Sequence, residues 1–166
     1  MKRIFLTGLV TLVSCLILNA QSFSLKKWTW DTYKMEFQAP ENMDVTENNA
    51  DAFKASNGSI TLDIYPRKGQ NMTYDGMKTA IIKWADDSGL QYDNYNSYNG
   101  EKQPFYLSNL NRYSGCAIDG SKRGFPASML LIQDPDYPDT VFYIWISYAK
   151  EYADDAVAIL KSFRPI

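Results

Sequence analysis

The sequence predicts an α+β domain: a single antiparallel β-sheet with two main α-helices packed on it. Period-two alternation of apolar residues recurs in short segments along most of the chain. The period changes to three and four in two places, around residues 73–88 and 152–163, which marks the helices. Turn residues, rather than long crossover segments, separate the later strands, as antiparallel neighbours require.

Residues 1–20 stand outside that fold. Lys2 and Arg3 precede the apolar run Ile4–Leu18, and Asn19-Ala20-Gln21 offers a small residue for cleavage, so the segment reads as an export signal. The run is shorter than the roughly twenty residues of a membrane-spanning helix. Leu12-Val13-Ser14-Cys15 has the form of a lipobox, whose Cys15 would be lipidated. Leu16-Ile17-Leu18 continues the apolar run where a lipoprotein turns polar, so cleavage after Ala20 is preferred. The expected product is exported, periplasmic or secreted, with a lipoprotein through Cys15 as the alternative.

Residues 21–27 read as a flexible lead-in and 28–166 as one domain. Trp28-x-Trp30 and Tyr33-x-Met35-x-Phe37 alternate with opposite parity, so a bulge or turn at Asp31-Thr32 separates two short strands, and Pro40 ends the second. Met43-x-Val45 and Ala52–Ala55 are extended, and Asn57-Gly58 is a hairpin signal, since both residues accept positive φ. It leads into Ser59–Tyr65, where Ile60, Leu62 and Ile64 face one way and Pro66 and Gly69 end the strand. Thr73 caps a helix in which Met77, Ala80, Ile81, Trp84 and Ala85 share a face, and Gly89 closes it. Gln91–Gln103 is an Asn- and Tyr-rich excursion. A meander follows: Phe105 to Leu110 or on to Ile118, a turn at Asp119-Gly120, Phe125–Gln133, a Pro-bearing loop Asp134–Asp139, and Thr140–Lys150. Tyr152, Ala156, Ile159, Leu160 and Phe163 mark the last helix, with Asp154 and Asp155 near the positive end of its dipole and Arg164-Pro165 beyond its end.

Certain of these segments carry a resemblance. Phe37-Gln38-Ala39-Pro40 with Met43-Asp44-Val45, then Phe53-Lys54-Ala55 and Ile60–Ile64, and finally Ala156-x-x-Ile159-Leu160-Lys161-Ser162-Phe163-Arg164 resemble the PsbP-like and DcrB-like fold group. The resemblance spans nearly all of residues 21–166 and implies a PsbP-like sandwich. It implies little about function, because the group holds exported bacterial proteins without known activity alongside a photosystem subunit. More narrowly, the chain is similar to small exported bacterial proteins whose role is unassigned.

Composition excludes several chemistries. The chain has no His, so Ser-His-Asp and Cys-His catalysis and His-ligated metals are unavailable. Gly-rich phosphate loops and CxxC pairs are missing as well, and no cofactor is expected. Removing Lys2 and Arg3 from the 17 basic residues leaves 15 against 19 acidic, a balance of -4 with no basic block, which disfavours nucleic acid and anionic lipid as partners. Beyond the signal no segment is apolar enough to span a membrane. Cys116 is then the one remaining thiol and reads as a small buried hydrophobe.

Candidate sites are few. Ser24-x-x-Lys27 matches a serine-lysine pattern without its companion motifs, a chance match. Asp86-Asp87 and Asp154-Asp155 are adjacent on helices and diverge by about 100°, so neither pair can face itself across a substrate. Asp134, Asp136 and Asp139 are the best calcium candidates, although the intervening prolines favour a rigid hairpin. The aromatic surplus carries the remaining signal. Tyr92, Tyr95 and Tyr98 interleave with Asn94, Asn96 and Asn99, placing stacking surfaces beside amides. Thr140–Lys150 has bulky residues on both faces. Tyr143 and Trp145, joined by Trp28 or Trp30, therefore form a patch if both helices pack on the other face, and core if each face has a helix. The expectation is a noncatalytic exported domain that binds a protein, peptide or glycan of the cell envelope through Tyr92, Tyr95, Tyr98, Tyr143 and Trp145, with a homodimer also open to an exposed apolar face. The alternative is a cell-envelope hydrolase using carboxylate or Tyr residues.

Overall fold

The computed structural model describes residues 22–96 and 100–166. The export-signal segment, with its cleavage and lipidation alternatives, and Tyr98 lie outside them. The fold is α+β with two sheets, which corrects the expected single sheet. One has three strands in the order β1-β2-β10: β1 (Leu25–Trp30), β2 (Met35–Pro40) and β10 (Arg164–Pro165). The other has seven, in the order β3-β4-β5-β9-β8-β7-β6: β3 (Asp44–Asn48), β4 (Phe53–Ser56), β5 (Ile60–Lys68), β6 (Phe105–Leu110), β7 (Tyr113–Lys122), β8 (Phe125–Asp134) and β9 (Tyr137–Tyr148). Every pairing is antiparallel. The small sheet separates because the chain turns at Asp31–Tyr33 and pairs β2 back onto β1, leaving β3 to start the large sheet. β1 begins inside the segment expected to be a flexible lead-in, with Leu25 opposite Pro40.

Each face of the large sheet carries one helix. α1 (Tyr74–Ser88) starts where the Thr73 hydroxyl accepts the Gly76 N–H at 3.2 Å, and it stops at Gly89, whose φ of 70° suits glycine. It buries Met77, Ile81 and Ala85 against Cys116, Ile118, Met129, Leu131 and Val141. A fully buried side chain such as Ile81 contributes about 1.5–3 kcal/mol. α2 (Ala153–Ser162) and the small sheet cover the opposite face, where Trp30, Phe37, Phe53, Phe142, Ile159 and Phe163 share a core. That core claims the indoles of Trp28 and Trp30, so neither joins the Trp145 face as the sequence reading allowed. Their Nε1 atoms donate to the Ala39 and Asn49 carbonyls at 3.3 and 3.1 Å.

β9 therefore has a helix over each face. Phe142, Ile144, Ile146 and Tyr148 are buried on one side and Val141 on the other, while Tyr143 and Trp145 are half-buried. α1 packs mainly on β7 and β8, and it leaves the β5 end of its face open.

Candidate functional site

On that open part of the α1 face, alternation along β5 and β9 turns Asp63, Tyr65, Trp145 and Ser147 outward, and register sets Asp63 opposite Trp145 and Tyr65 opposite Tyr143. Trp84 of α1 stands beside them, 6.4 Å from Trp145 and 5.3 Å from Tyr143 between ring centroids, both edge-on. The tip of the β7–β8 hairpin closes the end with Lys122, Arg123 and Phe125, the last 61% exposed. Together these residues enclose an open cleft of about 480 Å³.

Its electrostatics are mixed. The Lys122 ammonium lies 5.2 Å from the centre of the Trp145 ring and the Lys54 ammonium 5.4 Å from that of Tyr65, within cation–π range. Lys54 also pairs with Glu47 at 2.6 Å. The Tyr65 hydroxyl donates to Asp63 Oδ2 at 3.4 Å. Burial pushes the Asp63 carboxyl up, partly offset by Lys54. The cleft thus offers ring faces and edges, the three hydroxyls of Tyr65, Ser88 and Ser147, one carboxylate and two cations, groups suited to holding a polar ligand against an aromatic wall.

The sequence-predicted residues do not form one surface. Trp145 lines this cleft, and Tyr143 sits beneath Trp84 with the Arg67 guanidinium 5.9 Å from its ring. Tyr92 and Tyr95 line a different cleft of about 480 Å³, with Asp119 and Tyr148 of the opposite sheet face. The split arises because the excursion crosses the edge of β7. Gln91 exchanges hydrogen bonds of 2.8 Å with Ser121, and Gln103 donates to the carbonyls of Asp93 and Asp119 at 3.0 Å. Tyr92 leans back to donate to Asp86 at 3.1 Å, while Tyr95 is 61% exposed. Sequence reasoning assigned Trp84 to a helix core, and Asp63, Tyr65, Lys122 and Phe125 to no site. Period-two parity in β5 was the available signal for the first two of those strand residues; the hairpin tip carried none.

The calcium arrangement is not formed. Arg112 Nη2 pairs with Asp134 at 3.1 Å and with Asp136 at 3.3 Å, and Asp139 lends its backbone carbonyl to Gln70. Among the described residues, no group of three or more acidic, His or Cys side chains is placed to hold a metal ion. Lys27 of the serine-lysine match pairs with Glu36 at 2.9 Å. Asp87 pairs with Lys83 at 2.6 Å. Asp155 is buried rather than solvated and accepts from the Ser22 hydroxyl at 2.8 Å and the Phe23 N–H at 3.1 Å, tying the start of the described chain to α2.

With a small sheet and one helix on one face of a larger sheet and a helix on the other, the architecture is that of the PsbP-like fold group. A solution structure of cyanobacterial PsbP (CyanoP) from Synechocystis sp. PCC 6803 matches with a TM-score of 0.52 at 12% identity, over 86% of this chain and 93% of that one. A crystal structure from Bacteroides thetaiotaomicron VPI-5482 aligns with a TM-score of 0.49 at 11% identity, over 85% of this chain and 48% of that one, so the chain spans about half its length. No protein-family model and no curated protein matches the chain. Among the described residues, no helix is long and apolar enough to cross a membrane.

Proposed function

We propose that the protein is an exported, noncatalytic binding domain that engages a protein, peptide or glycan of the cell envelope through the Trp84–Trp145 cleft. The observation that carries this reading is the gathering of Trp84, Trp145, Tyr65 and Phe125 around one open cleft that Asp63, Lys122 and Arg123 also line. Half-exposed rings beside polar groups bind amphipathic ligands at low entropic cost, because they carry two rotatable bonds each. Export rests on the signal-like residues 1–20.

Soluble peptidoglycan fragments are a direct probe, since they present sugar and peptide together. Titration followed by tryptophan fluorescence is expected to show saturable binding that Trp145→Ala weakens at least tenfold, as loss of a central aromatic anchor does at other interfaces. Tightly bound envelope proteins captured by cross-linking from Lys122 would move the reading to a protein partner in the same cleft. Release of product during the titration, abolished by Asp63→Asn, would instead favour the hydrolase alternative.

A further inference from the structure

On the sheet face that α2 shares with the small sheet, two hollows meet. α2 packs on β2 and β9. The β6–β8 part of that face is left with a slot of about 290 Å³ walled by Phe105, Leu107, Ala117, Leu130, Val157 and Leu160. Asp119 and Tyr148 line both the slot and the polar cleft of about 480 Å³ that holds Asp93, Tyr95, Gln103 and Ser121, so the two hollows adjoin at these side chains. The junction is a built polar station. Asn96 and Ser128, each 3% exposed, hydrogen-bond the Asp119 carboxylate, Asn96 donating through Nδ2 to Oδ2. Beside the acids Asp93 and Asp119, the described residues lining the polar cleft include no basic side chain. Lys161 stands on the α2 side of the slot.

We propose that these joined hollows bind a single-chain amphiphile, its hydrocarbon tail in the slot and an ammonium head at Asp119 beside Asp93 and Tyr95. The volume suits a tail of roughly eight to ten carbons, if each methylene takes about the 30 Å³ of a water molecule. Charge sets the head: a carboxylate or phosphate there would face two acids, whereas an ammonium finds both and the ring of Tyr95. Burial pushes the Asp119 carboxyl up, opposed by its bonds to Ser128 and Asn96, and a cation beside it acts in the same direction as those bonds, favouring the ionised form. This site lies on the opposite sheet face from the Trp84–Trp145 cleft and stands independently of it.

Calorimetric titration of the whole domain with hexylamine, octylamine, decylamine, octanol and octanoate tests the proposal. Affinity is expected to rise roughly fourfold per methylene until the slot is full, with octylamine at least tenfold tighter than octanoate. Asp119→Asn is expected to abolish the preference for the amine while keeping the dependence on chain length. Should that variant not fold, Val157→Trp decides the location, because Val157 is 39% exposed on α2 and a larger side chain there narrows the slot from outside the core. Loss of chain-length dependence in Val157→Trp supports the site. Absence of amine binding, binding indifferent to chain length, tighter octanoate, or unchanged binding by Val157→Trp overturns it.

Discussion

Trp84 and Trp145 are placed differently from Trp30. Trp30 is 1% exposed, and its N–H is committed to a carbonyl, so Trp30→Ala is expected to cost about 3–5 kcal/mol in a urea melt. Trp145 is half-buried, and Trp145→Ala is expected to cost about 1–2 kcal/mol, a fraction of the fully buried value, while removing most ligand affinity. Comparing the two variants separates a structural from a binding role. Glu36 is a second residue with a distinct signature. Lys27 first, and Arg164 with it, hold its carboxyl below the ordinary value against the opposing effect of burial. A depressed folded pKa means that the stabilisation is fully present above the unfolded carboxylate pKa and is lost as pH falls through the folded one. Thermal melts of Glu36→Gln are therefore expected to show a shallower loss of stability on acidification than the parent protein, and identical acid limbs would remove Glu36 from the account.

At the scale of elements, the β7–β8 hairpin shows how far sequence reading reaches. Asp119-Gly120 carries a strong turn signal, yet both residues lie within β7 and pair with Ser128 and Ala127. The turn falls at Arg123 and Gly124, with φ of 52° and 83°, and nothing in an arginine announces positive φ. Gly120 is glycine for another reason: a Cβ there would run into the Gln91 carbonyl where the excursion crosses the strand. Gly120→Ala is expected to destabilise by about 1–3 kcal/mol and to raise hydrogen exchange at Gln91 and Ser121 ahead of the sheet. Uniform exchange across the molecule would argue against this local crossing. α1 was legible because its cap, its apolar spacing and Gly89 are all local. β5 was legible to Tyr65 but runs on past Pro66 to Lys68. There β4 has already ended at the partner of Ile64, so a residue without an N–H sits in an edge. The small sheet was not legible, because its pairing of Arg164 with Glu36 joins opposite ends of the chain, and no local pattern specifies so distant a partner. The aromatic cleft was half legible for the same reason: Trp145 stood out in its own strand, but its union with Trp84 and Asp63 depends on long-range register.

At the scale of the whole molecule, a helix on each sheet face leaves an opening on each: an aromatic, mixed-charge cleft on the α1 side and an apolar slot on the α2 side. The core between them holds Cys116 fully buried, and burial alone pushes its thiol up to about 12. A thiol reagent is expected to leave Cys116 untouched in the folded protein and to label it at the rate of unfolding; fast labelling of the native state would mean that the α1 face opens locally. The four indoles supply the most direct test of the central claim, that recognition is centred on the Trp84–Trp145 cleft. In a two-dimensional NMR titration with peptidoglycan fragments, the indole N–H signals of Trp84 and Trp145 are expected to shift saturably while those of Trp28 and Trp30, bonded to carbonyls on the other side of the sheet, stay in place. Saturable shifts confined to Trp28 and Trp30, or binding that moves no indole signal, would contradict the account.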